Sequence, residues 1–556
     1  MLNRFFFGSI VFFSVLSLIG VYLVITNTLF PVTSIFSIIF SLFAAFFILK
    51  NSALDLVSFN NNKFFLILLV FLLVFIYTVL PSFIIPFTSS DLMNHSRSIR
   101  ILSDNHGANM DFSQGIIEGL AHEYPLGYRS VGAIFYSLIG NPYFISTILS
   151  IIFLGLIAFG VYLISMKWYD NRTALIASFI FLFSITSFYY LLSGYIPQLF
   201  ATMFFISSIY AFSSKEKLLE IISAIGLISY PDLFAVYIIF LLLQFLHSRK
   251  KSLFVAPITA LIVLLPEVLG LIVYHNNLLT SGYLIRGGIY MPNFFGLLVF
   301  ILSIFGFAFL FKKNNFNFKE KNYADFLFFA LAPFLYILSV IIRFVINLLT
   351  RAHEVQIYQF YMAVKIFYLF LIPLSIAAAY FVSYKLKGYS LIDLIKLKNL
   401  NFSSIIIFSL LLFHFIYFVS FSPIIKNNNT FPVDYYPVAE RINKLDPGFI
   451  LVVDSCFSKL KPYTLTQFPY NKLYDNSNDD EINKGRELQL ARDFQFSWAE
   501  FEFGKQGEGI IISYNNERIL KIGESESGDY LLTGCSDKNL PIVFGSEEGV
   551  RLYKLN

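Results

Sequence analysis

The sequence predicts an α-helical polytopic membrane protein carrying a small C-terminal extracytoplasmic α/β or α+β domain. Three observations predict it. Hydrophobic residues make up 57% of the 556-residue chain and charged residues only 13%, too little polar surface to solvate a soluble fold of this length. Apolar runs recur up to residue 421, and many reach the roughly 20 residues that a helix needs to cross about 30 Å of hydrocarbon. Beyond residue 421 the composition turns charged and turn-rich. The net charge of +5 comes without a basic tail or a Lys/Arg block, so no nucleic acid partner is expected.

The chain opens with Arg4 and a long apolar run that lacks a small-x-small cleavage site, so the first span is expected to be retained. About 13 crossings are expected, in 5–25, 31–49, 64–82, 143–166, 173–192, 196–213, 218–230, 232–247, 253–274, 294–311, 325–347, 361–384 and 403–421. The runs 218–230 and 232–247 are short and broken by "SYPDLF". An outward hairpin of half-length helices is an equal expectation there.

Sidedness follows from the cations, which are retained in cytoplasmic loops. With the N-terminus cytoplasmic, those loops receive Arg4, Lys50, Lys63, Lys167, Arg172, Lys215, Lys217, Arg249, Lys250, Lys251, Lys312, Lys313, Lys319, Lys321, Lys385, Lys387, Lys396 and Lys398. The opposite loops receive only Arg97, Arg100, Arg129, Arg286 and Arg351. An odd number of crossings then puts the loop 83–130 and everything after residue 421 outside. Residues 1–421 are expected to form the transmembrane domain and 422–556 the extracytoplasmic one. In the latter, "FILVVD", "GIIISY" and "VRLYKL" read as strands and "YYPVAERINKL" as a helix. Cys456 and Cys535 both fall in it; a disulfide suits an oxidising compartment, and two free thiols remain the alternative.

The external loop carries the first polar cluster. If "SSDLMNHSRSIRIL" is helical, Ser89 or Ser90 caps it and Asp91 and His95 stand one turn apart on one face. Leu92, Ile99 and Leu102 give a second face, for the membrane surface or the bundle. A carboxylate and an imidazole so placed can share a proton, hold a divalent metal or orient a hydroxyl for deprotonation. The plainer reading is an acid favoured by the helix dipole beside a surface histidine. Further on, "AHEYPLGYRS" places Glu123, Tyr124 and Arg129 around a Pro-Leu-Gly turn. Residues 130–166 are too many for one span, so a short re-entrant or interfacial helix is expected first, broken at Asn141-Pro142. That would leave Glu123 and Tyr124 near the water–bilayer boundary.

A second cluster lies in "IIRFVINLLTRAHEVQIYQFYMAVKIF", where Arg343, Arg351 and Lys365 bracket one outward turn joined by His353 and Glu354. Snorkelling to the interface explains a lone Arg or Lys. Three cations at one turn also suit a lipid phosphate, which Arg holds through a bidentate fork and Lys through a point charge. Asp232 and Glu267 are further acids near outward ends.

At these residues the sequence resembles the GT-C superfamily of membrane glycosyltransferases: two N-terminal crossings, a third leading to a long first external loop, more spans, and an external C-terminal domain. "SDLMNHSRSIRILSDNHG" followed by "EYPLGY" is similar to the D-x-x-x-H loop and Y-P-x-G turn of bacterial and archaeal members. The resemblance implies an enzyme that uses a polyprenyl-phosphate-linked sugar held in a groove between spans, with transfer to an extracytoplasmic glycan, lipid or protein. It implies that Asp91 is the essential external-loop acid, as base or as ligand to a divalent cation such as Mg or Mn, and that His95 assists it. It implies donor-phosphate binding by Arg343, Arg351 and Lys365, with Glu123, Tyr124 and Arg129 shaping the acceptor side. Absence of W-W-D-x-G argues against an oligosaccharyltransferase catalytic subunit, and absence of a D-x-D in the first loop against obligatory metal dependence. The competing readings are a lipid-linked glycan polymerase or ligase and a polytopic transporter or flippase.

Overall fold

The computed structural model describes residues 2–51, 62–79, 90–107, 126–140, 142–192, 195–266, 268, 297–314, 320–349, 368–386, 402–429, 450–452, 530–533, 542–545 and 551–554. Helices dominate: α1 (Leu2–Ile25), α2 (Pro31–Asn51), α3 (Asn62–Val79), α4 (Ser90–Asp104), α5 (Leu126–Ile139), α6 (Pro142–Trp168), α7 (Asn171–Leu182) and α8 (Ile185–Leu192). They continue with α9 (Ile196–Ser214), α10 (Lys217–Leu227), α11 (Pro231–Ser248), α12 (Val255–Val263), α13 (Leu297–Asn314), α14 (Lys321–Leu349), α15 (Tyr368–Lys385) and α16 (Phe402–Asn429). Among the described residues, seven helices are long and apolar enough to cross a membrane: Arg4–Ile25, Pro31–Lys50, Phe144–Trp168, Ile196–Ser214, Pro231–Ser248, Lys321–Ile342 and Tyr368–Lys385. The molecule is a polytopic helical membrane protein.

Each expected crossing coincides at least in part with helix, although α10 has only 11 residues and α12, within the expected 253–274 span, only nine. The run 173–192 was expected as a single span, and it is two helices, α7 and α8, separated at Phe183 and Ser184. Side chains explain the break. Ser184 Oγ accepts from the Ser187 N–H at 3.3 Å, capping α8, and Ser187 Oγ donates to the Phe181 carbonyl at 2.7 Å, satisfying an end group of α7. A hydropathy reading sees only the unbroken apolar run.

The helices pack around one continuous buried cluster to which all sixteen contribute. Apolar attraction between helices is weak in lipid, so close approach and buried hydroxyls supply the contacts. Ser14 Oγ donates to the Ile222 carbonyl at 2.6 Å, Ser178 Oγ to that of Ala158 at 2.9 Å, and Ser207 and Ser223 hydroxyls meet at 2.8 Å. At the Lys/Arg-rich ends of the helices two buried acids are paired. Glu220 accepts from Lys217 Nζ at 2.7 Å and Tyr237 Oη at 2.9 Å; Asp325 accepts from Gln244 Nε2 at 2.7 Å and Ser213 Oγ at 3.2 Å.

Near the C-terminus four strands, β1 (Ile450–Val452), β2 (Tyr530–Thr533), β3 (Ile542–Gly545) and β4 (Arg551–Lys554), form a mixed sheet in the order β1-β2-β4-β3. β1 runs parallel to β2, and β4 is antiparallel to both β2 and β3. β1 and β4 fall in "FILVVD" and "VRLYKL"; β2 and β3 were not singled out in the sequence. "GIIISY", "YYPVAERINKL", Cys456 and Cys535 lie outside the described residues.

α13 and α15 approach so closely at Gly306 that a Cβ there would collide with the Ala377 backbone. Gly306→Ala is therefore expected to destabilise the solubilised protein by about 1–3 kcal/mol, the usual cost of overpacking. Gly155→Ala, whose Cβ would meet only Leu72 Cδ2 at 3.8 Å, is expected to leave the apparent melting temperature unchanged or higher. Thermal unfolding of the two variants in one detergent checks the difference.

Candidate functional site

α4 and α5 run side by side in the same direction: the His95 ring meets the Tyr128 ring edge-on at 5.9 Å, and one turn further Ile99 occupies the space beside Gly132. Their upper ends reach the rim of the bundle. The Leu29 N–H donates to the His106 carbonyl at 2.9 Å, the His106 and Phe30 rings lie 4.3 Å apart, and Ser137 Oγ donates to Ser34 Oγ at 2.8 Å. The start of α5 is packed inside the bundle. At Gly127 a Cβ would collide with the Ser229 side chain and would touch Ser17 Oγ. Ser17 sits eight residues before the end of α1, about 12 Å of helix.

The α10–α11 turn packs against the start of α5, with Ser229 beside Gly127. Both helices have their other ends among the cations, Lys215 and Lys217 on one side and Arg249, Lys250 and Lys251 on the other. α10 has 11 residues, about 16 Å and only half of a hydrocarbon thickness. The hairpin of half-length reach anticipated at "SYPDLF" is what the chain forms at α10, and α11 returns as a full span. Pro231 opens α11, where its missing N–H leaves no donor unsatisfied, and Asp232 follows in the first turn, where the helix dipole favours a carboxylate.

Polar side chains from three elements meet at that turn. Gln198, in the first turn of α9, donates through Nε2 to Tyr230 Oη at 2.9 Å. Tyr336 of α14 donates through its hydroxyl to Asp232 Oδ1. Asp232 and Tyr336 are both half-buried. Tyr128, fully buried, bridges toward the other wall: its ring contacts His95, Phe153 and Phe200 at 5.9, 6.3 and 6.1 Å.

The expected site residues distribute as follows. Asp91 is in the first turn of α4, one turn before His95, with its side chain outside the described residues. His95 is 8% exposed against Tyr128. Arg129 is half-buried on α5. Arg343 lies on α14, seven residues beyond Tyr336 and hence on the same face; its side chain is outside the described residues. Glu123, Tyr124, Arg351 and Lys365 lie outside them too, as do Glu267, His353 and Glu354. Arg100 is buried, with Nε 3.8 Å from Asp104 Oδ2. Burial raises the Asp104 carboxyl above its usual range, and the Arg100 charge pulls it back. Among the described residues no group of three His, Cys, Asp or Glu side chains is placed to hold a metal ion.

Gln198, Tyr230 and Tyr336 were not singled out from sequence. The signal available for the turn was its Tyr-Pro-Asp, which repeats the Tyr-Pro of the first loop inside apolar surroundings. Gln198 and Tyr336 carried no signal, since each is a lone polar tip within a span.

An apolar cavity of about 600 Å³ opens on the other side of α14, lined by Phe300, Phe307, Phe311, Leu331, Phe334 and Phe370 among others from α13, α14 and α15. Phe334 and Leu331 face away from Tyr336 around the helix.

No known family matches the sequence, and no curated protein resembles it significantly. Solved structures with a similar course of helices include the Archaeoglobus fulgidus oligosaccharyltransferase in apo form, at 11% identity and TM-score 0.42 over 86% of this chain and 70% of that one. ArnT from Cupriavidus metallidurans bound to undecaprenyl phosphate matches at 11% identity and TM-score 0.46 over 89% and 97%. The A. fulgidus enzyme in complex with Zn and sulfate matches at 14% identity and TM-score 0.33 over 72% and 61%. Similarity this slight leaves the chemistry to be argued from the residues of this chain.

Tyr128 holds α4 against α9, so Tyr128→Ala is expected to cost about 3–5 kcal/mol, as large aromatic truncations in cores do. Tyr128→Phe retains the ring and should fall within about 1 kcal/mol of the parent. Thermal unfolding in detergent compares them.

Proposed function

We propose that the protein is a membrane glycosyltransferase of GT-C type that moves a sugar from a polyprenyl-phosphate donor to an extracytoplasmic glycan, lipid or protein, with inversion. The observation that carries the reading is the parallel course of α4, which starts with the D-x-x-x-H residues Asp91 and His95, and α5, whose Gly127 packs against Ser229 of the turn that leads to Asp232.

The displacement uses groups of this chain. The Asp91 carboxylate takes the proton of the acceptor hydroxyl, with His95 orienting that hydroxyl or sharing charge. The acceptor oxygen bonds to the anomeric carbon from the face opposite the leaving group. The bond from that carbon to the phosphate oxygen breaks, and its electron pair leaves on the lipid phosphate. Arg343, Arg351 and Lys365 offset the growing negative charge, most effectively where water is scarce. Glu123, Tyr124 and Arg129 shape the acceptor side. The apolar cavity suits an isoprenoid tail: it is walled by aromatic rings, and its outer end lies toward the end of α14 that carries Arg343. A divalent cation, Mg or Mn, would require Asp91 together with an acid from another element, and the described residues supply no ready-made cluster.

A transporter or flippase is the second reading, favoured by one observation, an ionisable Asp232 on a helix start inside the membrane. Label transfer separates the two. Purified protein incubated with labelled polyprenyl-phosphate sugars and acceptors should form labelled glycoside. Asp91→Asn should reduce turnover by at least about a thousandfold, as loss of a base in a unit of acting groups does, with membrane insertion intact. Transfer by that variant at near the parent rate would remove Asp91 from the role of base.

The proposed sidedness has its own check. With Cys456 and Cys535 replaced by Ser, a membrane-impermeant thiol reagent applied to whole cells should label a cysteine placed at Asn105 and should leave one placed at Lys250 untouched until the cells are opened.

A further inference from the structure

The depth of the apolar cavity beside α14 follows from helix lengths. Phe311 stands three residues from the Asn314 end of α13, roughly 5 Å, and Leu327 six residues from the Lys321 end of α14, roughly 9 Å. Phe300 and Phe334, which also line it, stand roughly 20 Å from the same two ends. The cavity thus begins about one turn inside the cation-rich ends of its helices and reaches just past the middle of a hydrocarbon layer about 30 Å thick. Phe300, Leu331 and Phe334 are 47, 39 and 51% exposed, so it opens sideways onto the space that lipid chains fill.

All three helices that wall the cavity carry cations at this end. Lys312 and Lys313 are in the last turn of α13, Lys321 begins α14, and Lys385 is in the last turn of α15. Lys321 is turned toward α9, where its Nζ donates to the Ser213 carbonyl at 3.1 Å. Lys313 is held differently. Its Nζ donates to Tyr380 Oη at 2.8 Å and lies 5.4 Å from the centre of that ring, which fixes the ammonium between α13 and α15 with only one of its three donors engaged by a hydroxyl. Lys312 and Lys385 are exposed beside it. Among the described residues of these three ends the acids are Glu320, which is exposed and faces Lys313, and Asp325, which is enclosed and satisfied by Gln244 and Ser213.

An apolar slot open to lipid, with lysines at the inner end, matches a molecule that has a negative head and a hydrocarbon chain. Basic clusters between spans on the cytoplasmic side are where anionic head groups bind, and this end is cytoplasmic in the proposed sidedness. We propose that the cavity and the lysines at its inner end form a site for an anionic phospholipid of that leaflet, with the phosphate on Lys312 and Lys313 and one acyl chain between α13 and α14. The site goes beyond the transferase reading and does not need it. Where the donor's isoprenoid tail reaches the same space from the outer end, the two chains exclude one another.

The test is lipid binding by the full-length protein in a neutral detergent, read by native mass spectrometry. The probes are phosphatidylglycerol and phosphatidylcholine with the same acyl chains. The parent is expected to hold phosphatidylglycerol at least about tenfold more tightly, a preference within reach of two cations at one head group. Lys312→Gln combined with Lys313→Gln should abolish that preference. Lys250→Gln combined with Lys251→Gln makes the same change of charge before α12 and should keep it. Ala330→Phe puts a ring into the cavity and should remove saturable binding of either lipid. The exposed lysines can be replaced without disturbing the core, so their variants remain informative if Ala330→Phe fails to fold. A parent without preference would overturn the site. So would equal loss in both lysine pairs, which would reduce the cations to a diffuse surface charge, or an Ala330→Phe protein that binds as the parent does. Sugar transfer enters none of these measurements, so the glycosyltransferase reading stands or falls separately.

Discussion

A helix that stops inside a bilayer leaves four N–H groups or four carbonyls without partners, and hydrocarbon offers none. Most of the molecule is arranged around that constraint, because α5, α8, α9, α10 and α11 each begin or end within the bundle. The chain meets it locally. Pro231 and Pro197 open α11 and α9 without the donors that would otherwise be orphaned, Ser184 caps α8, and Ser187 serves the last turn of α7.

The two ends of the bundle treat their acids differently. At the cation-rich end Glu220 and Asp325 are enclosed, 0% and 2% exposed, and each is satisfied by neighbours on adjacent helices. Such pairing ties α9, α10, α11 and α14 together without leaving a group for a ligand. At the opposite end Asp232 is half-buried and accepts from Tyr336 through Oδ1, with Oδ2 shut off from solvent. The same residue type is thus wholly enclosed in one place and half-buried in the other.

The bundle was largely legible in the sequence because crossing a bilayer imposes a length and a polarity that one run of residues can satisfy alone. The stretches 5–25, 31–49, 143–166 and 196–213 show this well, since each matches α1, α2, α6 or α9 to within a few residues. The re-entrant helix before Asn141-Pro142 was legible for a similar reason: too many residues for one span, and a proline to break it. The division of 173–192 was not, because two serines accomplish it inside an apolar run. Nor was the parallel rise of α4 and α5, which depends on His95 finding Tyr128 and Ile99 finding Gly132 far along the chain. Glu123 and Tyr124, expected at the water–bilayer boundary, lie outside the described residues. The pairs Gln198–Tyr230 and Tyr336–Asp232 join residues of separate elements, and no local pattern announces such a meeting.

The α10–α11 hairpin enters and leaves the bundle by the same face. Its contribution to the parity of the chain is therefore zero, whether its tip stays recessed or rises to the rim. Lengthening or shortening that hairpin would raise or lower the level at which Tyr230 and Asp232 stand, without inverting any helix that comes after.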